Sequence, residues 1–467
     1  MRNHSVLVLL GAIALGAPRA VTAQDARLPH ARQLARDILA QLIEINTTHS
    51  SGNTTTAAEA MAVRLRAAGF PASDVQVVGP DTTHGNLVAR YRGRGTRPPL
   101  LLLAHLDVVE ALRADWSVDP FTFQERDGYF YGRGTSDDKA MAAIWIANLI
   151  LLKEEGFVPD RDLIVALTAD EEGGDFNGVE WLLRTHRNLI DAAYALNEGG
   201  GGELKDGKRV LNEIQTSEKV YLSFTLEVRN SGGHSSLPRP DNAIYRLAAG
   251  LTRLSAYQFP VRLTETTRAF FQRMAGIAGG AQGEAMRGVA AGDAPDPGAV
   301  ARLAVEPYYN ALMRTTCIPT ILAAGHAENA LPQTARATVN CRLLPGEVPD
   351  SVQATLVRVL ADSAISVTPI ASAKPSAASP LLPDVLGAVE RVTQAMWPGV
   401  PVVPTMVTGA TDGLYLRNAG IPTYGVSGLF EEIGDIRAHG RDERIGVAAF
   451  FEGQEFLARL VKELSAR

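Results

Sequence analysis

Apolar residues recur at helical spacing over 32–45 and again over 56–68, where Gly69 ends the run, and this pattern predicts two helices. Beyond them the texture changes. Short apolar runs at 86–91, 100–104, 163–168 and 194–197 alternate with a longer periodic stretch at 139–154. Near-continuous apolar strands separated by helices predict an α/β sheet covered on both faces.

From 219 to 229 the pattern becomes strictly alternating, as in Val220-Tyr221-Leu222-Ser223-Phe224, which predicts a strand with one solvated face and a new domain. A helix over 242–254, two strands turning near Asn329, a helix over 351–361 and a strand over 365–369 follow. That order is the order of a ferredoxin-like sandwich. Residues 257–309 form a long insertion rich in Ala and Gly, and 371–380, rich in Ala, Ser and Pro, reads as a linker. The remainder returns to α/β texture, with helices over 384–394 and 447–464 and short strands near Val402 and Thr423. The expected architecture is therefore α/β with two domains. A catalytic domain made of 24–215 and 374–467 encloses an inserted α+β lid domain, 216–373.

The N-terminal end adds a destination. Arg2 and His4 precede an apolar stretch over 6–17 and then Val21-Thr22-Ala23, so 1–23 reads as a signal peptide cleaved after Ala23. The stretch is shorter than the ~20 residues of a spanning helix, so no stable membrane anchor is expected after cleavage and the product is periplasmic or secreted. Formal net charge is -6 and no dense Lys/Arg tract occurs, which excludes nucleic acid and anionic membrane surfaces as expected partners. The chain has 2 cysteines, Cys317 and Cys341. A hairpin turning near Asn329 sets them opposite each other, and both a disulfide and two buried thiols stay open.

Five motifs put acids and imidazoles where strands should end. His105-Leu106-Asp107 directly follows an apolar strand, so both side chains can point to one side. Gly132-Arg133-Gly134-Thr135-Ser136-Asp137-Asp138 leads into a helix, where an aspartate either caps the helix or binds a cation. Asp170-Glu171-Glu172-Gly173-Gly174 and Asn197-Glu198-Gly199 end two more strands, at the rim where open α/β sheets bind ligands. Ala438-His439-Gly440 comes close to the C-terminal end and is followed by Arg441-Asp442-Glu443.

In this order, over nearly all of the mature chain, these motifs resemble the zinc-dependent aminoacylase, glutamate carboxypeptidase and succinyl-diaminopimelate desuccinylase family of dinuclear metallopeptidases. The resemblance implies a mixed-sheet zinc-peptidase domain and two Zn2+, for which Co2+ can substitute. Asp137 would bridge them, one ion held also by His105 and Glu198 and the other by Glu172 and His439. It further implies Glu171 as general base and Asp107 as support for a metal-bound imidazole. Three substrate-binding residues follow from the smaller domain. They are His234 in Ser231-Gly232-Gly233-His234-Ser235, Asn329 in Asn329-Ala330-Leu331-Pro332, and Arg342 for a substrate carboxylate. Asp138 departs from the family, where an apolar residue is common. The 257–309 insertion is larger than in compact relatives, so it either covers the site or replaces the contacts of a homodimer formed through the lid domain.

These residue types suit hydrolysis. Two zinc ions can share a hydroxide whose parent water has a pKa lowered toward ~7, and Glu171 would move the proton. The expected enzyme is an exported metallocarboxypeptidase or dipeptidase cleaving a peptide or amide bond beside a free carboxylate. An N-acyl amino acid deacylase and a zinc aminopeptidase are the alternatives, and the inserted domain argues against the aminopeptidase. A non-catalytic peptide-binding protein is disfavoured by the full set of ligands plus base.

Overall fold

The computed structural model describes residues 23–292 and 294–466. The expected signal peptide falls outside them. Among the described residues no helix is long and apolar enough to cross a membrane.

A run of consecutive apolar residues is stable as a strand only where both faces are covered. The centre of a ten-stranded mixed sheet meets that condition. Leu100–His105 runs parallel to Leu163–Thr168 on one side and to Tyr194–Asn197 on the other, so all three strands end at one rim. Their alternate residues face two separate cores. Leu100, Leu102 and Ala104 pack toward the helices Ala23–Ile43, Lys139–Glu154 and Val447–Ser465, while Leu101 and Leu103 meet Val179, Leu182 and Leu416. Full burial of such a side chain contributes roughly 1.5–3 kcal/mol, which makes this rim a rigid support. Trp145 is wholly buried, and its indole N–H donates to the Leu103 carbonyl at 3.0 Å, tying helix Lys139–Glu154 to the central strand.

The alternating segment behaves differently. Val220–Arg229 is the third strand in a four-stranded antiparallel sheet whose order is Thr316–Ala324, Thr334–Leu343, Val220–Arg229, Ile365–Pro369. In chain order these are the second, third, first and fourth strands, the arrangement of a ferredoxin-like sandwich. Helices Ala243–Ala256 and Pro349–Leu360 bury Leu247, Leu254, Val352 and Leu356 against it. Cys317 lies opposite Cys341 in the outer strand pair, and the two form a disulfide that closes a loop 24 residues long in sequence separation. Such a link removes conformations from the unfolded chain.

The insertion resolves into four helices, Glu265–Ala278, Gly280–Ala290, Pro297–Leu303 and Pro307–Met313. They do not extend the small sheet. Phe270, Phe271, Met286 and Val289 pack with Leu211, Val403 and Met406, which belong to the large-sheet strands Lys208–Glu218 and Val402–Val407. The insertion is thus a helical cap on the larger domain's sheet.

A three-stranded sheet completes the frame. Tyr129–Tyr131 pairs with Gln124–Arg126 and with Arg444–Gly446, setting Arg444 directly opposite Tyr131.

Candidate metal centre

Two of the motifs meet because of that last strand pair. With Tyr131 and Arg444 in register, the loop after the first strand carries Asp137 toward the same rim as the loop before the second, which carries His439. The first loop needs its glycines. Gly134 sits at φ +91°, and a Cβ there would come within 2.8 Å of the Lys139 side chain and 3.0 Å of Val108. Lys139 is itself buried, donating from Nζ to the Leu42 and Ile45 carbonyls at 2.9 and 2.8 Å, so the helix start cannot shift to make room. The Asp137–Asp138 peptide is cis.

The parallel strands deliver the rest. His105 is the last residue of Leu100–His105, Asp170, Glu171 and Glu172 follow Leu163–Thr168, and Glu198 follows Tyr194–Asn197. His105 Nε2 lies 2.9 Å from Asp137 Oδ1 and 3.7 Å from Glu198 Oε2. His439 Nε2 lies 3.0 Å from Asp137 Oδ2 and 2.8 Å from Glu172 Oε1. One oxygen of Asp137 therefore faces each imidazole. The result is two three-residue groups, His105–Asp137–Glu198 and Asp137–Glu172–His439, within each of which the ligand atoms all lie within 4.8 Å of one another. Asp137 is common to both.

Asp107 is buried behind this cluster. Its two carboxylate oxygens accept the backbone N–H groups of Glu171 and Glu172 at 3.1 and 2.9 Å, so it anchors the turn that presents both glutamates. Its carbonyl oxygen lies 3.0 Å from His105 Nδ1, whereas its carboxylate is 3.6 Å away, too far for a hydrogen bond. The Asp107 main chain is thus the hydrogen-bond partner of the imidazole, and the nearby Asp107 carboxylate acts on it through its charge. A carbonyl accepting from Nδ1–H leaves Nε2 free to ligate.

The electrostatics describe a pocket short of positive charge. Burial, then the neighbouring Glu198, holds the Glu171 carboxyl well above the ordinary carboxylate range. Burial and Asp137 lift Glu172 to about 7, and burial raises Glu198 as well. The imidazoles move up too. His439 is raised to about 9 by its contact with Asp137, and His105 is raised because Glu198, Asp107 and Asp137 outweigh its burial. Asp137 moves the other way, its carboxyl held low against its burial by the two imidazoles it faces, so the shared residue is an anion between two cationic rings. Acids and imidazoles crowded in this way suit a site that binds cations. The donor set, imidazole nitrogen plus carboxylate oxygen, suits zinc.

Asp138 stands at the N-cap position of helix Lys139–Glu154 but makes no side-chain capping bond, and its buried Oδ2 has no hydrogen-bond partner. The capping role open to it from sequence is not used. His234, Asn329 and Arg342 lie apart from the cluster, with no hydrogen bond or ion pair to it among the described residues. His234 contacts Ser236 at 2.7 Å, and its turn meets the Asn329 turn through Ser235 N–H donating to the Asn329 carbonyl at 3.0 Å. Arg342 donates to the Thr408 carbonyl at 3.3 Å and lies over the Tyr221 ring.

The structure also adds a residue that the motif reading passed over. Asp412 is buried beside the rim, accepting from Thr168 Oγ1 at 3.2 Å and from Asn177 Nδ2 at 2.6 Å, and burial lifts its carboxyl to about 7. The signal was an acid in a Gly-rich turn, Thr408-Gly409-Ala410-Thr411-Asp412-Gly413, following an apolar strand.

Known proteins resemble this chain over most of its length. The chain is 29% identical over 387 residues to the N-fatty-acyl-amino acid synthase/hydrolase PM20D1 of Homo sapiens, covering 78% of this chain and 74% of that one. It is 28% identical over 396 residues to the probable carboxypeptidase S-like 2 of Dictyostelium discoideum, covering 81% and 74%. The fold is similar to that of the M20 family metallo-carboxypeptidase Sso-CP2 of Sulfolobus solfataricus, with TM-score 0.67, 18% identity and coverage of 92% and 99%. Residues 101–463 match the family model for Peptidase family M20/M25/M40, so the chain belongs to that family and is a hydrolase acting on carbon–nitrogen bonds.

Proposed function

We propose that this protein is a dinuclear zinc hydrolase that cleaves a peptide or amide bond next to a free carboxylate. The observation that carries the reading is the pair of His and carboxylate groups sharing Asp137, each with the donors to hold a cation, and Glu171 next to Glu198 and Glu172 but outside both. His105, Asp137 and Glu198 would hold one zinc, and Asp137, Glu172 and His439 the other, with cobalt as a working substitute. Bound there, the ions would acidify water and polarise the scissile carbonyl.

The remaining work falls to side chains. Glu171, its backbone tied to Asp107, takes the proton of the attacking water and passes it to the leaving amine. His234 steadies the carbonyl oxygen when the smaller domain closes, with Asn329 shaping its turn. Arg342 holds the carboxylate, a task suited to a planar guanidinium.

Two substrate types share this requirement. Peptides cut at the C-terminal residue are favoured by similarity to the carboxypeptidase S-like chain, and N-acyl amino acids by similarity to PM20D1. A panel of dipeptides, N-acyl amino acids of increasing chain length and the same compounds blocked as amides separates them. Blocking the carboxylate is expected to lower kcat/KM about 10- to 100-fold, the cost of one charged hydrogen-bonded contact. Faster cleavage of the blocked amides, with a free amino group required, would replace this reading by an aminopeptidase.

A homodimer through the smaller domain is proposed on one further observation. Its edge strand Thr316–Ala324 exposes Ile318, Ile321 and Leu322, an apolar unpaired edge of the kind that invites another strand. Sedimentation equilibrium should give twice the chain mass, and Ile321→Lys should return it to one; a monomeric wild type removes the dimer. Export is supported by the N-terminal pattern and by the Cys317–Cys341 disulfide, which suits an oxidising compartment, and a mature chain starting at Gln24 is its mark.

A further inference from the structure

Glu443 is wholly buried four residues after His439, and its carboxylate is spent on the opposite arm of the site. Oε2 accepts from Arg133 Nη1 at 2.6 Å and from the Gly134 N–H at 3.1 Å. Oε1 accepts from the Ser136 N–H at 2.7 Å and from the Asp137 N–H at 3.1 Å. Arg133 closes the circuit. Its Nη2 reaches the His439 carbonyl at 3.4 Å, and its guanidinium lies over the Trp116 ring. One acid therefore grips the backbone of the shared ligand Asp137 from the turn that carries His439.

We propose that Glu443, with Arg133 as its partner, is a positioning residue that sets Asp137 and His439 at the spacing a cation requires. The proposal rests on the dinuclear reading above. Four donors converge on two oxygens, so the ionised carboxylate is the only side-chain group of this size that accepts them all. An amide presents one oxygen and one NH2, and whichever way it turns, two donors face a donor. The loop would then relax, and with it the distance from Asp137 Oδ2 to His439 Nε2, now 3.0 Å. Groups that orient ligands in this way typically govern about 10- to 100-fold in metal affinity.

The test titrates chelator-stripped protein with Co2+, following heat and visible absorbance. Wild type should take two Co2+ per chain. Glu443→Gln should bind at least one of them about 10- to 100-fold more weakly. Arg133→Lys, which keeps the charge but loses the fork, should weaken the same ion by a smaller factor. Leu457→Ala, a buried change on the C-terminal helix away from both loops, reports what destabilisation alone does and should bind Co2+ like wild type. Wild-type affinity in Glu443→Gln, or an equal loss in Leu457→Ala, overturns the positioning role. If Glu443→Gln does not fold, Arg133→Lys decides: unchanged affinity overturns the proposal. A wild type that takes up no Co2+ sinks the dinuclear reading itself, a result seen before any variant is made.

Discussion

Glu171→Gln should lower kcat by roughly 10²- to 10⁴-fold while the protein keeps its full complement of bound cation. The reason is positional. Glu171 lies outside both three-residue groups, so its removal leaves every proposed ligand in place. Its backbone is fixed by Asp107, while its side chain sits near Glu198 and Glu172 in a buried, acid-rich pocket that holds its carboxyl well above the ordinary range. The sign for pH follows. A carboxylate base is lost by protonation as pH falls, so kcat/KM of the wild type should decline on the acid side. In Glu171→Gln the residual activity should not carry that limb. Metal analysis alongside steady-state kinetics checks both parts; a variant that still turns over normally removes Glu171 from the base role, and one that has lost its cations makes it a ligand.

Asp137→Ala should abolish turnover by a different route, through loss of both cations. No other residue contributes to both groups, and its two oxygens face the two imidazoles at 2.9 and 3.0 Å. Without it each group keeps one imidazole and one glutamate, too few donors for a closed site. Affinity for each ion should fall by more than about 100-fold, beyond what loss of an orienting neighbour costs. Cation content by elemental analysis should drop from two per chain to less than one. Asp137→Asn should be intermediate, since the amide retains one oxygen. Two cations still bound to Asp137→Ala would mean that the ions lie elsewhere and that the shared carboxylate is not the centre of the site.

Much of the frame was legible because its cause is local. Strands Asn86–Tyr91, Leu163–Thr168 and Tyr194–Asn197 stand where the apolar runs end, and helix Lys139–Glu154 spans the expected 139–154. Burial on both faces leaves a continuous mark on a strand. The ferredoxin-like order was legible too, since one solvated face imposes alternation. The insertion was not. Its helices pack on Leu211, Val403 and Met406, partners far away in sequence, and Ala- and Gly-rich segments bury small faces with a weak period. Strands Gly202–Lys205 and Lys208–Glu218 also went unread, because polar residues interrupt both.

Residue types and spacing determined which acids and imidazoles sit at strand ends, since a side chain at the end of a parallel strand has one rim to face. That much is a property of the chain read alone. Only the tertiary structure decided that Asp137 and His439 meet, because their distance depends on the pairing of Tyr131 with Arg444, a register set by hydrogen bonds between segments some three hundred residues apart. It also decided where Glu443 and Asp412 lie and which donors they meet. An acid in a turn is indistinguishable by sequence from a solvated one, and burial against particular donors is what turns it into part of the site.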